Sequence, residues 1–185
     1  MKRERLTVDF PLPGEIGLSL GSNLGDRLEH LKAAAGRIAA LPGVRWRAAS
    51  PVYETEPVGV RAEFKHLRYL NAVVIVAYEG ALEALAGALH GIEADLGRRR
   101  GADRNAPRPI DIDIVYAGRE RRSTPALEVP HPRWAERRFV AQPLADVRPD
   151  LVLPGRRRTV AQVLARLPGA AHVRRFAGPI SAGYE

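Results

Sequence analysis

Asp111 and Asp113 stand two residues apart in RPIDIDIVY, residues 108–116, where Ile110, Ile112 and Ile114 alternate with them. That alternation predicts a β-strand, in which side chains at i and i+2 share a face. The isoleucines then line one side, and the two carboxylates stand together on the other. Carboxylates so placed have Cα atoms roughly 6.5–7 Å apart, close enough for their oxygens to converge on divalent cations. Magnesium takes one or two carboxylates plus substrate phosphates, and paired ions in phosphoryl chemistry lie about 3.5–4 Å apart. The alternative is two aspartates on a wet strand face, paired with nearby arginines.

The residues just upstream bear on that choice. GRRRGADRNAPR, residues 97–108, sets Arg98, Arg99, Arg100, Arg104 and Arg108 against a single acid, Asp103. Guanidiniums crowded on a glycine-containing loop repel one another unless an anion joins them. Each charge-assisted contact to a phosphate oxygen contributes about 1.5–3 kcal/mol. Carboxylates for magnesium beside arginines for phosphate is the layout of a nucleotide site. There is no G-x-x-x-x-G-K-[ST], and GLSLGSNLG spaces its glycines every fourth residue rather than as G-x-G-x-x-G. A bound ATP is therefore expected to be held by side chains and metal. His131, between Pro130 and Pro132 and followed by Arg133, Arg137 and Arg138, is a candidate phosphate contact. Asn71, inside an apolar strand, needs partners if buried and has the donors and acceptor to pair with a heterocycle. Tyr69, Trp134 and Phe139 read as core or rim aromatics.

The elements that must position these residues can be read in order. IGLSL, from Ile16, is a strand ended by the turn-rich GSNLGD, whose Asn23 and Asp26 are candidate helix caps. Leu28, Leu31, Ala35, Ile38 and Leu41 recur at helical spacing until Pro42 and Gly43. Val44, Trp46 and Ala48 alternate as a strand, and YETEPVG begins a polar loop. A strand over 69–78 is followed by a helix with Leu82, Leu85, Leu89, Ile92 and Leu96 on one face, and then by the aspartate strand. Strand, helix, strand, strand, helix, strand is the ferredoxin-like βαββαβ order, with both helices on one sheet face. Helical stretches near 133–147 and 159–167 are placed to cover the other face. The expected fold is α+β, a βαββαβ core whose extra C-terminal elements complete an α/β/α sandwich. It is expected to be a single domain with a core over about 16–169 and loosely held termini at 1–14 and 174–185.

Composition bounds the function. At 185 residues and 45% hydrophobic, the chain can bury a sizeable core. It has no cysteine, which excludes disulfides and thiolate metal sites. Its longest apolar run, LNAVVIVAY, falls well short of the roughly 20 residues a spanning helix needs. A formal charge of +8 favours an anionic partner.

Together these pieces resemble one family, the 6-hydroxymethyl-7,8-dihydropterin pyrophosphokinases of folate biosynthesis. LSLGSNLGD (18–26), SPVYETEPVG (50–59), YLNAVV (69–74), IEADLGR (92–98), APRPIDIDIV (106–115) and VPHPRWAERRFVAQPL (129–144) follow the family's order and spacing. The resemblance implies transfer of the β,γ-diphosphate of ATP to the pterin hydroxymethyl group, releasing AMP. By similarity Asp111 and Asp113 hold two Mg²⁺ ions, and Arg98 and Arg108 clamp phosphate, these four being the catalytic set. Glu93, Arg100, Ile114, His131 and Arg137 join the two arginines in binding ATP. On the pterin side, Tyr69 and Phe139 sandwich the ring, Asn71 hydrogen-bonds it, Asp111 borders it, and Thr55, Glu56, Pro57 and Val58 offer groups to its edge. The chain departs from well-known members at Asn105, Ala126 and Pro132, where they carry tryptophan, arginine and often tyrosine. A cytoplasmic monomer binding ATP and the pterin, and neither nucleic acid nor membrane, is the matching expectation. The rivals are an RNA-binding module of the same element order and a regulatory domain that binds a ligand without turning it over. Against the first, IGLSL and the interior of LNAVVIVAY lack the aromatics on which such modules stack bases from their central strands.

Overall fold

The computed structural model describes residues 9–99, 106–169 and 172–182. In chain order the elements begin with β1 (Glu15–Ser22), α1 (Arg27–Ala39), β2 (Arg45–Ala49), β3 (Pro51–Thr55), β4 (Tyr69–Ala77) and α2 (Leu82–Asp95). They continue with β5 (Asp111–Ala117), a short hairpin of β6 (Arg122–Ser123) and β7 (Glu128–Val129), α3 (Arg138–Val147), α4 (Val160–Leu164) and β8 (Val173–Pro179). The main sheet is antiparallel in the order β5-β1-β4-β3-β8, with β2 pairing β4 just beyond β3.

Side-chain periodicity explains the layering. On α1, Leu31, Ala34, Ala35 and Ile38 are buried at helical spacing, and on α2 Leu82, Leu85, Leu89 and Ile92 are. Both helices pack on the sheet face formed by Ile16, Leu18 and Leu20 of β1, Leu70, Ala72 and Val74 of β4, and Ile112 and Ile114 of β5. On the opposite face, Val140 and Leu144 of α3, with Val160 of α4 and Trp134, cover Val73, Ile75, Val115 and Tyr116. The result is the expected α/β/α sandwich.

The structure differs from the sequence reading at several places. Tyr53 to Thr55 are not loop: they continue as β3 after a break at Ser50, and Tyr53 and Thr55 pair with Asn71 and Tyr69. Pro51 has no N–H to give the ladder, so the broken strand restarts there. Ser50 bridges the gap by donating its N–H to Val73 O at 2.8 Å and accepting Val73 N–H on Oγ at 2.9 Å. Residues 174–179, expected to lie in a loose terminus, belong to β8 on the outer edge of β3, anchored by Ile180, which is buried in the helix-side core. Asp9, ahead of β1, is tied as well, since it bridges Leu151 and its carbonyl accepts Val152 N–H at 2.8 Å. Of the two candidate caps, Asp26 caps α1 by accepting Glu29 N–H at 3.1 Å, whereas Asn23 reaches elsewhere. α4 is shorter than predicted and opens on a capping box between Thr159 and Gln162. A bulge opposite Gly17 turns Val115 and Tyr116 to the same side; a Cβ on Gly17 would lie 2.2 Å from the Tyr116 ring.

Candidate active site

Register decides what the open half of the sheet presents. Asp111 pairs across from Gly21 and Asp113 from Ser19, while Asn71 meets Gly21 from the other side. These residues alternate with Ile112, Leu20 and Ala72, which point into the helix-side core. They therefore face the α3 layer, but α3 covers only the portion around Val73 and Ile75. The uncovered portion is the floor of a cavity of about 790 Å³ lined by Asp111, Asp113, Arg98, Arg108, Asn71 and Phe139, among others. Gly21 keeps that floor low, because a Cβ there would lie 3.0 Å from Asn71 Oδ1.

One wall is guanidinium. Arg98 Nη1 donates to Asp111 Oδ1 and to Glu93 Oε1, and Arg108 Nη1 lies 3.3 Å from Asp111 Oδ2. Glu93, 2% exposed, also accepts Ile112 N–H at 2.7 Å, so it joins α2 to β5 beneath Arg98. Opposite stands Arg137, 4.0 Å from Asp113 Oδ2, with its guanidinium 5.6 Å from the centre of the Phe139 ring. Asn71, on the cavity floor, donates from Nδ2 to Thr55 Oγ1 at 2.7 Å.

The two aspartates differ in charge environment. Asp111 has two arginines on its oxygens. Asp113 keeps 45% of its side-chain surface open to the cavity. Desolvation, and then the neighbouring charge of Asp111, push its pKa up to about 6. His131 is pinned to β5 by its N–H to Val115 O at 2.8 Å. Burial first, and Arg137 second, lower its pKa to about 4, so it is neutral at pH 7. Its Nδ1 accepts Arg133 N–H at 3.1 Å, and its Nε2 lies 3.3 Å from Arg137 Nη1. Burial likewise raises the Tyr69 phenol above its ordinary value.

The donor set fits magnesium. Among the described residues no group of three or more His, Cys, Asp or Glu side chains gathers to make a closed metal cage. Two carboxylates on an open floor leave coordination positions for phosphate oxygens and water, the arrangement Mg²⁺ favours.

The fold brings together most of the residues singled out in the sequence. Thr55, Glu56, Val58, Tyr69, Asn71, Glu93, Arg98, Arg108, Asp111, Asp113, His131, Arg137 and Phe139 all line the one cavity. Ile114 does not, since its side chain is buried in the helix-side core, as the strand alternation requires. Pro57 lines a neighbouring recess with Lys65 and His66, and Arg100 lies outside the described residues. Ser19, Gly21, His90 and Arg133 also line the cavity and were not singled out as site residues. For Ser19 and Gly21 the signal was their shared parity on β1, which becomes meaningful only once the β1–β5 register is known.

A family model described as 7,8-dihydro-6-hydroxymethylpterin-pyrophosphokinase (HPPK) matches residues 17–149. The chain belongs to the HPPK family. Among HPPK relatives, the 2-amino-4-hydroxy-6-hydroxymethyldihydropteridine pyrophosphokinase of Pseudomonas aeruginosa is 38% identical over 160 residues, covering 83% of this chain and 96% of that protein. The protein of the same name from Methylorubrum extorquens is 41% identical over 150 residues, covering 81% of this chain and 91% of its own. A solved Plasmodium falciparum HPPK-DHPS with SDX-DHP superposes with a TM-score of 0.65 at 14% identity, over 87% of this chain and 46% of that one. That likeness concerns the fold alone, and this chain spans less than half of that longer protein.

Proposed function

We propose that the chain transfers the diphosphate of ATP to the hydroxymethyl group of 6-hydroxymethyl-7,8-dihydropterin, with Asp111 and Asp113 holding two Mg²⁺ ions. The observation that carries this reading is a carboxylate pair on an open sheet floor, between a guanidinium wall and a slot lined by Tyr69, Asn71 and Phe139. In the reaction the substrate hydroxyl oxygen bonds to the β-phosphorus as its O–H bond breaks and the proton passes to solvent water; the bond from that phosphorus to the α,β-bridging oxygen breaks, and AMP leaves with its electron pair. When bound, magnesium neutralises phosphate charge and acidifies the attacking hydroxyl.

The chain's own residues position and stabilise. Arg98 and Arg108 offer N–H groups to the triphosphate from one wall and Arg137 from the other, and neutral His131 adds a ring nitrogen without adding charge. Glu93, also on the cavity lining, fixes the Arg98 guanidinium. Tyr69 and Phe139 hold the pterin ring, and Asn71, braced by Thr55, pairs with its edge. Such clamping supplies catalysis by orientation and electrostatics, with no covalent intermediate. An RNA-binding reading gains nothing on the uncovered floor, where β1 and β5 offer Ser19, Gly21, Asp111 and Asp113, and the β5 aromatic Tyr116 is buried in the core on the α3 side. In this reading the chain acts as a cytoplasmic monomer; no helix among the described residues is long and apolar enough to cross a membrane.

Phosphorus NMR of products tests the proposal. ATP should yield AMP rather than ADP, only with both the pterin and Mg²⁺ present, and Asp113→Ala should cut turnover by orders of magnitude while the protein stays folded. ADP as product, or near-normal turnover in the variant, would contradict it.

A further inference from the structure

Asn23 sits in the turn between β1 and α1 and is 3% exposed. It does not cap the helix, a task Asp26 performs. Instead its Oδ1 accepts the main-chain N–H of Arg108 at 2.8 Å, and its own N–H donates to the carbonyl of Arg108 at 3.3 Å. The pairing of β5 with β1 reaches only as far as the Asp111–Gly21 pair. Asn23 therefore extends that attachment backward to a residue the ladder does not hold. The residue it holds is the one whose guanidinium meets Asp111 at 3.3 Å in the cavity wall.

We infer that Asn23 is a positioning residue for Arg108, fixing the main chain from which that guanidinium reaches the phosphates. The inference rests on the reading of Arg108 as a phosphate ligand. Of the Asn23 side chain, Oδ1 makes the contact, while Nδ2 is buried with no hydrogen-bond partner among the described residues. The acceptor oxygen is thus the working group, and an aspartate, which keeps that oxygen, should substitute for it. A side chain without an acceptor removes the Oδ1 contact to the Arg108 main chain and so loosens the segment that aims its guanidinium.

The test is a double-mutant cycle on the full chain, read as affinity for a nonhydrolysable ATP analogue with Mg²⁺ and, separately, as kcat and KM for ATP. Asn23→Ala should weaken analogue binding and lower kcat/KM by about tenfold, whereas Asn23→Asp should stay within about threefold of the parent. On an Arg108→Ala background the Asn23→Ala loss should vanish, because there is no guanidinium left to position. A purely structural role would carry the same loss onto that background. Should Asn23→Ala fail to fold, Asn23→Leu, which fills the space and lacks the acceptor, enters the same cycle. An equal loss on both backgrounds, an effect below about twofold on the parent, or an Asn23→Asp loss as large as that of Asn23→Ala overturns the inference. A chain that binds the analogue yet makes no AMP would sink the functional reading, while the affinity cycle still decides the role of Asn23.

Discussion

Asp113 is held in a state that works against the fold. Its folded pKa of about 6 exceeds its ordinary 3.8, so between those values the folded chain binds more protons than the unfolded one. Stability supplied at low pH is then lost as pH rises through about 6. Asp113→Asn removes the charge and keeps the shape. In metal-free protein it should raise the melting temperature at pH 7.5, by an amount that shrinks toward zero near pH 4, while abolishing turnover; thermal unfolding across that range checks it. His131 acts with the opposite sign. Its pKa is depressed from 6.5 to about 4, so in that window the unfolded chain takes a proton that the folded chain refuses, and stability falls on acidification. His131→Gln should lose less stability than the parent between pH 6.5 and pH 4.5 in urea titrations. At this scale the carboxylates, the arginines and the asparagine were legible as residue types in unusual places. That Arg98 and Arg108 reach Asp111 rather than Asp113 was not, because it depends on how distant segments pack against β5.

The elements show where local patterns suffice and where they fail. Helices α1 and α2 follow from apolar spacing, and α1 from the Asp26 cap, all contained within one segment of chain. β3 and β8 do not, because Tyr53 and Thr55 pair with β4 and with β8, partners far along the sequence. Arg174, Arg175 and Phe176 of β8 are exposed, so no alternation marks it as a strand. The join between β2 and β3 depends on one buried side chain. Ser50→Ala leaves Val73 N–H without its Oγ acceptor in a fully buried setting. It should cost about 1–3 kcal/mol, seen as a lower urea midpoint at unchanged slope.

Across the whole molecule, a sandwich covered fully on one face and partly on the other makes the cavity: the sheet continues past the point where α3 stops. Closing that sheet falls to the chain's C-terminal segment. Truncation after Pro168 strips β8 from the edge of β3 and removes buried Ile180, and the melting temperature should drop by about 4 °C or more in calorimetry; an unchanged value would mean that the edge pairing contributes nothing. The sequence by itself determined the α+β order, the two helix faces, the carboxylate pair and the family motifs, since each is written in neighbouring residues and their spacing. Only the tertiary structure decided that Gly21 and Ser19 lie beneath the carboxylates, that Asn23 grips Arg108, and that Glu93 braces Arg98 from below. Those relations depend on strand register and on contacts between distant segments, which only the folded packing of sheet and helices fixes.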